Sequence, residues 1–135
     1  MNTPAPVSAV RVKEIAFTGY PVTDLPRARA FYEGVLGLKS ALTFEHGGAA
    51  WIEYEIGGGT LAISNMMPEW KPSPDGPSIA LEVEDFDAAV AALKAADTKF
   101  LLEPMVGQTC SLAVVADPAG NGVAIHRRNE AASAT

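Results

Sequence analysis

Cysteine and histidine, which often serve as nucleophiles, general bases and metal ligands, are rare in this sequence. The chain has one cysteine, Cys110, and two histidines, His46 and His126. His126 could act as a general base, because an imidazole titrates near neutral pH. The alternative for His126 is a rim position beside Arg127 and Arg128. His46 falls in a Gly-rich predicted hairpin, which indicates surface. Cys110 has no histidine near it in sequence, which favours a buried, inert thiol.

An aromatic residue and two carboxylates share one face of a predicted strand. Trp51, Glu53 and Glu55 alternate with an Ile-Tyr-Ile set, and successive side chains of a strand point to opposite faces. The Ile-Tyr-Ile set is typical of a core. We therefore expect Trp51 and Glu53 to face a cavity or an interface, where a carboxylate could bind a cationic ligand. The alternative for both glutamates is a solvated edge.

The elements that position these residues occur twice, about 61 positions apart. The motif Val22-x-Asp24-Leu25 aligns with Val83-x-Asp85-Phe86, and each aspartate is a good N-cap for a helix that follows a strand. Each copy reads as βαβββ. The duplication predicts two similar halves packed about a pseudo-twofold axis, with a cleft shaped by both.

The composition of the connecting segments predicts the boundaries of the two modules. Met66, Met67 and Trp70 lie in the predicted linker, and apolar residues there could cover a pocket or a dimer contact. We predict a flexible N-terminus over residues 1–10, a first module over 11–65, a Pro-rich linker over 66–77, a second module over 78–128 and a disordered tail over 129–135.

Charge and hydropathy exclude several classes of partner. The formal net charge is −6, which disfavours nucleic acid because phosphate contacts need clustered Lys and Arg. No apolar run approaches the ~18 residues that span a bilayer, so no membrane partner is expected. The N-terminal residues do not resemble a signal peptide, and a single cysteine suits a reducing compartment. We therefore expect a cytoplasmic protein.

Three motifs together resemble the vicinal-oxygen-chelate superfamily, which includes glyoxalase I, extradiol dioxygenases, and fosfomycin- and bleomycin-resistance proteins. They are Val22-Thr-Asp24-Leu25, the run Phe31-Tyr32-x-x-x-Leu36-Gly37-Leu38, and Asp117-Pro118-x-Gly120-Asn121. The resemblance covers almost all of residues 13–127. It implies an α+β fold of two βαβββ modules that form curled mixed sheets around a cleft, with the helices on the convex faces.

The resemblance also implies where a metal would bind. Members of the superfamily usually hold a divalent metal through ligands on four equivalent strands. Matched one position at a time, those ligands fall on Phe17, Ala62, Ser78 and Ala124. These residues lack the imidazole and carboxylate donors that such metals need. We therefore expect no metal and no cofactor, and the resemblance leaves catalytic residues unassigned.

The residues around those four positions suggest a binding wall. Positions two apart on a strand share a face, and the wall formed in this way is mostly small and apolar, which is typical of a pocket for an organic molecule. Phe17 could be an aromatic floor for a planar ligand or could fill the space of the missing metal. The predicted ligand-binding residues are Phe17, Trp51, Glu53, Ser64, Ser78, Glu82 and His126.

Three functions follow from these observations. The first is a metal-free protein that binds a small molecule, similar to the bleomycin-resistance branch, whose members are acidic homodimers that sequester a ligand. The second is a metal-dependent lyase or dioxygenase with relocated ligands drawn from His126, Glu82 or Glu53. The third is a non-catalytic module with a vestigial cleft. The acidic balance and the missing ligands favour the first function, with a homodimer as the expected assembly.

Overall fold

The computed structural model describes residue 11 and residues 13–129. The predicted flexible N-terminus, residues 1–10, and residues 130–135 of the predicted tail lie outside the described residues. The elements in chain order are β1 (Thr18–Pro21), α1 (Leu25–Arg29) with a π-helical continuation (Ala30–Val35), β2 (Ser40–His46), β3 (Ala49–Ile56), β4 (Gly59–Ser64), β5 (Ile79–Glu82), α2 (Phe86–Ala95), β6 (Phe100–Val106), β7 (Cys110–Ala116) and β8 (Gly122–Arg128).

The eight strands form two sheets of four, one from each half of the chain. Their strand orders are β1-β4-β3-β2 and β5-β8-β7-β6. In each sheet the first strand of the module runs parallel to the last, and the other pairs are antiparallel. The predicted α+β fold of two βαβββ modules with curled mixed sheets is confirmed. The first helix contacts the first sheet through Tyr32 and Tyr54, and the second helix contacts β8. The buried apolar residues of both halves form one core cluster.

Both helices begin at the predicted aspartates. The Asp24 carboxylate accepts the backbone N–H of Arg27 at 3.1 Å, and that of Asp85 accepts the N–H of Ala88 at 3.0 Å. Each bond satisfies one of the N–H groups that a helix start leaves without a partner. Gly37 follows the first helix with a φ of 73°, a left-handed value that favours glycine. In the described part of the chain, no helix is long and apolar enough to cross a membrane.

The first helix differs from its prediction in the second half. The apolar spacing predicts a regular α-helix, but the stretch Ala30–Val35 is π-helical. The amide of Leu36 accordingly bonds the carbonyl of Phe31, five residues earlier, at 2.9 Å. Phe31 and Tyr32 in this wider turn are both buried.

The edge strand β6 continues through a proline. Pro104 lies within the strand, and the register with β7 shifts on both sides of Leu102. A proline cannot donate to a sheet, but β6 is an edge strand with a neighbour on one side only. The ladder with β7 therefore accommodates Pro104 at the irregularity between Leu102 and Met105, where the register shifts.

The two halves meet along a buried polar contact, which we call the inter-module contact. The Tyr20 hydroxyl donates to the carbonyl of Gly122 at 2.7 Å and accepts the N–H of Ile79 at 2.6 Å. The Tyr32 hydroxyl donates to Asp117 Oδ2 at 2.8 Å, and burial raises the pKa of Tyr32 well above its usual value. These bonds fix the second sheet against the start of the first.

Candidate functional site

The face of the first sheet that points away from its helix carries most of the predicted ligand-binding residues of that half. Residues that are opposite in neighbouring strands share a face, so the registers define rows across the sheet. We call this surface the first face, and its two central rows are Phe44, Trp51, Ser64 and Pro21, then Leu42, Glu53, Ala62 and Gly19.

The corresponding surface of the second sheet, the second face, has the same two rows. Each residue in these rows is the counterpart of a residue in the rows of the first face, about 61 positions earlier in the chain. The rows are Met105, Leu112, His126 and Glu82, then Leu102, Val114, Ala124 and Ala80.

The four positions that the resemblance assigns to metal ligands occupy equivalent places in the two sheets. Ala62 is opposite Gly19 and Ala124 is opposite Ala80, while Phe17 and Ser78 lie two residues before those partners. A phenyl ring, two methyl groups and one hydroxyl do not fit a divalent metal. Among the described residues, no group of three His, Cys, Asp or Glu side chains is placed to hold one.

Aromatic side chains form the centre of the first face. The rings of Phe17 and Trp51 meet edge to face, with centroids 5.0 Å apart and planes at 87°. Phe17 is 45% exposed, so in this chain it does not fill a closed void. The Trp51 indole N–H donates to Glu53 Oε2 at 2.8 Å, which fixes the indole and leaves Oε1 of the same carboxylate for another donor.

The linker returns onto this face through Trp70. A Cβ atom at Gly19 would lie 2.9 Å from Cη2 of Trp70 and 3.4 Å from a ring carbon of Phe17. The position therefore suits glycine because the indole needs the space. A cavity of about 220 Å³ beside it is lined by Gly19, Trp70 and Ser78 among others, so the structure brings Ser78 to the edge of the aromatic cluster.

Ser64 has a structural role instead of the predicted ligand-binding one. It is 1% exposed. Its hydroxyl donates to the carbonyl of Ala50 at 2.8 Å and accepts the N–H of Met66 at 3.0 Å. These two bonds anchor the start of the linker, and the burial of the hydroxyl keeps it from the open surface of the first face.

Glu82 and His126 are direct neighbours on the second face. Glu82 Oε1 lies 2.6 Å from Nδ1 of His126, and its Oε2 accepts the backbone N–H of Arg128 at 2.7 Å. The Arg128 amide, followed by His126, holds the pKa of Glu82 below its usual value. The His126 side chain is 25% exposed, so the imidazole is partly enclosed by the sheet and by its carboxylate partner.

Cys110 lies on the same face as His126, which its position in the sequence does not suggest. It is opposite Arg128 on β8, one row beyond the pair formed by His126 and Leu112, and it is half-buried. The signal that was missed is strand parity across β7 and β8. No hydrogen bond joins the thiol to the imidazole in the part of the chain that the structure describes.

The two sets of predicted residues remain on separate faces. Within residues 13–129, no hydrogen bond or ring contact joins Phe17, Trp51 or Glu53 to Glu82 or His126. Of the three candidates for relocated metal ligands, the structure brings Glu82 and His126 together, whereas Glu53 bonds Trp51 on the first sheet. His46 is exposed at the end of β2.

The Asp-Pro-x-Gly motif has a structural role. The Asp117 carboxylate accepts the N–H groups of Ala119 and Asn121, the Asn121 side-chain amide and the Tyr32 hydroxyl at 2.8 to 3.0 Å. All of these bonds are internal to the protein. A larger groove of about 590 Å³ lies between α1 and this turn, and none of the predicted ligand-binding residues lines it.

Two βαβββ modules with open faces on paired mixed sheets define the architecture of the vicinal-oxygen-chelate proteins. The family model of the Glyoxalase/Bleomycin resistance protein/Dioxygenase superfamily matches residues 14–125. The chain belongs to this superfamily. No curated protein sequence matches it.

Solved structures of the same superfamily share the fold at low sequence identity. TnmS3, described as an antibiotic binding protein from Streptomyces sp. CB03234, is 20% identical with a TM-score of 0.74, over 89% of this chain and 99% of that one. A glyoxalase/dioxygenase from Nostoc punctiforme is 20% identical with a TM-score of 0.73, over 96% and 100%. A superfamily member from Sphaerobacter thermophilus DSM 20745 is 20% identical with a TM-score of 0.68, over 87% and 98%.

Proposed function

We propose that this protein binds a small planar organic molecule on the first face without a metal. The observation that carries the proposal is the half-exposed ring of Phe17, held edge-on against Trp51 beside an oriented carboxylate. An exposed aromatic surface with one placed polar group is typical of sites for organic ligands. TnmS3, which shares this fold, is described as an antibiotic binding protein, which supports binding as opposed to turnover.

Glu53 supports a ligand with a cationic or hydrogen-bond-donating group. Its Oε2 already accepts the indole N–H of Trp51, so the geometry leaves Oε1 as the acceptor at this point of the face. The net charge of −6 favours cations over anions in the surrounding field. The preferred ligand is therefore a planar molecule with an ammonium or amidinium group at its edge.

Tryptophan fluorescence tests the proposal directly, because both tryptophans of the chain, Trp51 and Trp70, lie at the first face. Naphthylmethylammonium, naphthylmethanol and naphthoate would be titrated into the wild type and into Trp70→Phe, which reports on Trp51 alone. We expect the cation to bind most tightly. Phe17→Ala should weaken all three probes by about fivefold, since an aromatic contact contributes roughly 1 kcal/mol.

A matched pair of substitutions distinguishes the specific effect of the Glu53 carboxylate from the general effect of removing one negative charge. Glu53→Gln should reduce the preference for the cation by up to about fivefold, the magnitude of an exposed ion pair. Glu45→Gln, on the opposite face of β2, removes the same charge and should change nothing. Equal effects of the two substitutions, or equal binding of all probes by Phe17→Ala and wild type, would contradict the proposal.

The proposed binding uses no metal, because the residues at the four ligand positions do not fit one. Elemental analysis of the purified protein after dialysis should find no stoichiometric divalent metal. Near one equivalent of Zn, Ni, Fe or Mn per chain would instead support the metal-dependent alternative.

We further propose that the protein is a homodimer whose partner packs on the outer edge of the first face. Two large apolar side chains, Leu42 and Phe44, are exposed there. Apolar patches of this kind mark interaction sites, and a specific dimer should bury at least ~1,200 Å². Light scattering at tens of micromolar should give twice the chain mass. Phe44→Glu should reduce the measured mass to that of the monomer, whereas Thr43→Glu, on the other face of β2, should leave the dimer mass unchanged.

We also propose a cytoplasmic location, which is supported by the lone Cys110. A thiol without a disulfide partner is suited to a reducing compartment. Fractionation of cells that express the native gene checks this location, and recovery with the periplasmic or extracellular fraction would contradict it.

A further inference from the structure

The Glu82–His126 pair on the second face is held more firmly than an ordinary surface ion pair. Both oxygens of Glu82 are used: one lies 2.6 Å from Nδ1 of His126 and the other accepts the Arg128 amide at 2.7 Å. The two residues are also opposite each other in the parallel β5–β8 ladder. The carboxylate is thus fixed in position by the backbone of the strand that carries the imidazole.

This arrangement defines which nitrogen of the imidazole is free. A carboxylate is an acceptor only, so the Nδ1 atom that faces it carries the proton. The other nitrogen, Nε2, then presents a lone pair and acts as a proton acceptor. Among the described residues, no hydrogen bond reaches Nε2. The side chain is therefore a base whose tautomer is set by its neighbour.

An apolar surface lies next to this base. Leu112 is the cross-strand neighbour of His126, and Met105 is the next residue in the same row. Met105 and Leu102 are exposed, and Leu112 is half-buried. A ligand with an apolar body can cover these side chains while its polar end reaches the imidazole. The second face thus offers an aliphatic floor and one proton acceptor.

We propose that His126, positioned by Glu82, takes the proton of a weakly acidic organic ligand, a phenol or an enol, bound over Leu102, Met105 and Leu112. The ligand O–H bond breaks, an N–H bond forms at Nε2, and the ligand stays bound as its anion beside the imidazolium. Glu82 accepts from Nδ1–H before and after the transfer and stabilises the cation. Atoms and charge balance without a further reactant.

Two other ionisable groups lie on the same face of the sheet as the imidazole. Arg128 follows on the same side of β8 and Cys110 lies opposite it on β7. The guanidinium adds positive charge at this end of the face, which favours a bound anion. The inference concerns a different face from the one used in the proposed function, so either can fail while the other stands.

Nitrogen NMR of the two histidines tests the positioning by Glu82. Long-range ¹H–¹⁵N spectra of the wild type above neutral pH should show His126 as the Nδ1–H tautomer, whereas free imidazole side chains prefer Nε2–H. Glu82→Ala should return His126 to the Nε2–H form, and His46 should be unchanged in both proteins. An Nε2–H tautomer for His126 in the wild type would overturn the inference.

A chromophoric phenol tests the proton transfer. With 4-nitrophenol, whose anion absorbs visible light, binding to the wild type should raise the apparent acid dissociation constant of the phenol by about tenfold or more. His126→Gln should abolish this shift, Glu82→Gln should reduce it, and His46→Gln should leave it intact as the matched control. No binding at millimolar probe, binding as the neutral phenol, or an unchanged shift in His126→Gln would each overturn the proposal.

Discussion

The two faces occupy equivalent positions in a duplicated fold, yet their side chains have different chemistry. The row Phe44–Trp51–Ser64 of the first face corresponds to the row Met105–Leu112–His126 of the second. The first row is aromatic and its serine is buried, while the second is aliphatic and ends in a base. Duplication has thus preserved strand register without preserving chemistry, and a role found on one face cannot be transferred to the other.

The corresponding turns of the two halves differ even more. The turn between β3 and β4 is built of glycines and is exposed, and a Cβ atom added at Gly58 would meet nothing within 4 Å. The turn between β7 and β8 instead contains the buried Asp117 and Asn121, which bond to the first half. The two halves are therefore equivalent in their strands but differ in these turns, because only the turn between β7 and β8 contacts the other half.

The largest expected effect comes from substitution in those turns. Asp117→Ala leaves buried donors, including the Tyr32 hydroxyl, without an acceptor. It should lower the free energy of unfolding by about 3 kcal/mol or more. Gly58→Ala at the corresponding turn should change it by less than about 0.5 kcal/mol. Urea denaturation of both variants measures the difference, and similar losses would mean that the inter-module contact is no more critical than the open turn.

A second prediction concerns Gly19 and its counterpart Ala80. Gly19→Ala places a methyl group 2.9 Å from the Trp70 ring, so the indole must move. We expect a loss of about 1 to 3 kcal/mol from the overpacking and a red-shifted tryptophan emission. Ala80→Gly on the second face should leave the emission unchanged. If Gly19→Ala keeps the wild-type spectrum, Trp70 does not pack on the first face in solution.

Substitution of the two helix caps should lower the stability by less than the changes above. The loss should be the same in both halves, because the two helix starts are alike. Asp24→Ala and Asp85→Ala each remove one side-chain bond to a backbone N–H, at 3.1 and 3.0 Å. Each should cost about 1 kcal/mol, measured by thermal or urea unfolding. A clear inequality between the two would indicate that one helix is held mainly by packing.

The smallest expected effect is on pH dependence. Bonds from Arg29 and then Tyr54 hold the pKa of Glu33 below its usual 4.5. The resulting stabilisation is present above that value and is lost as the pH falls through the lower pKa of the folded state. The stability difference between wild type and Glu33→Gln should be under about 1 kcal/mol at neutral pH and should shrink below pH ~4.5. A difference that grows on acidification would contradict this assignment.

Local sequence patterns predicted the fold well because its determinants are local. The aspartate caps, the strand alternation around Trp51 and the repeat spacing each depend on neighbours within a few residues. Strand alternation also placed Phe17 and Glu53 on one face. The structure agrees, because Glu53 is opposite Ala62, Ala62 is opposite Gly19, and Phe17 lies two residues before Gly19. Whether either residue binds a ligand remains a prediction.

The features that sequence reasoning missed depend on contacts between distant residues. Trp70 packs at Gly19, and Tyr32 meets Asp117, far away along the chain. Ser64 has cleft-facing parity, but its hydroxyl is used by the linker, which parity alone cannot show. Cys110 shares a face with His126 only because β7 and β8 pair in one particular register.

The inter-module contact has a consequence for chain continuity. Tyr20 and Tyr32 belong to the fragment before the linker, whereas Gly122 and Asp117 belong to the fragment after it. Their bonds join the fragments independently of the peptide bonds of residues 66–77. Cleavage of the chain within residues 66–77 would therefore leave these hydrogen bonds between the two fragments in place.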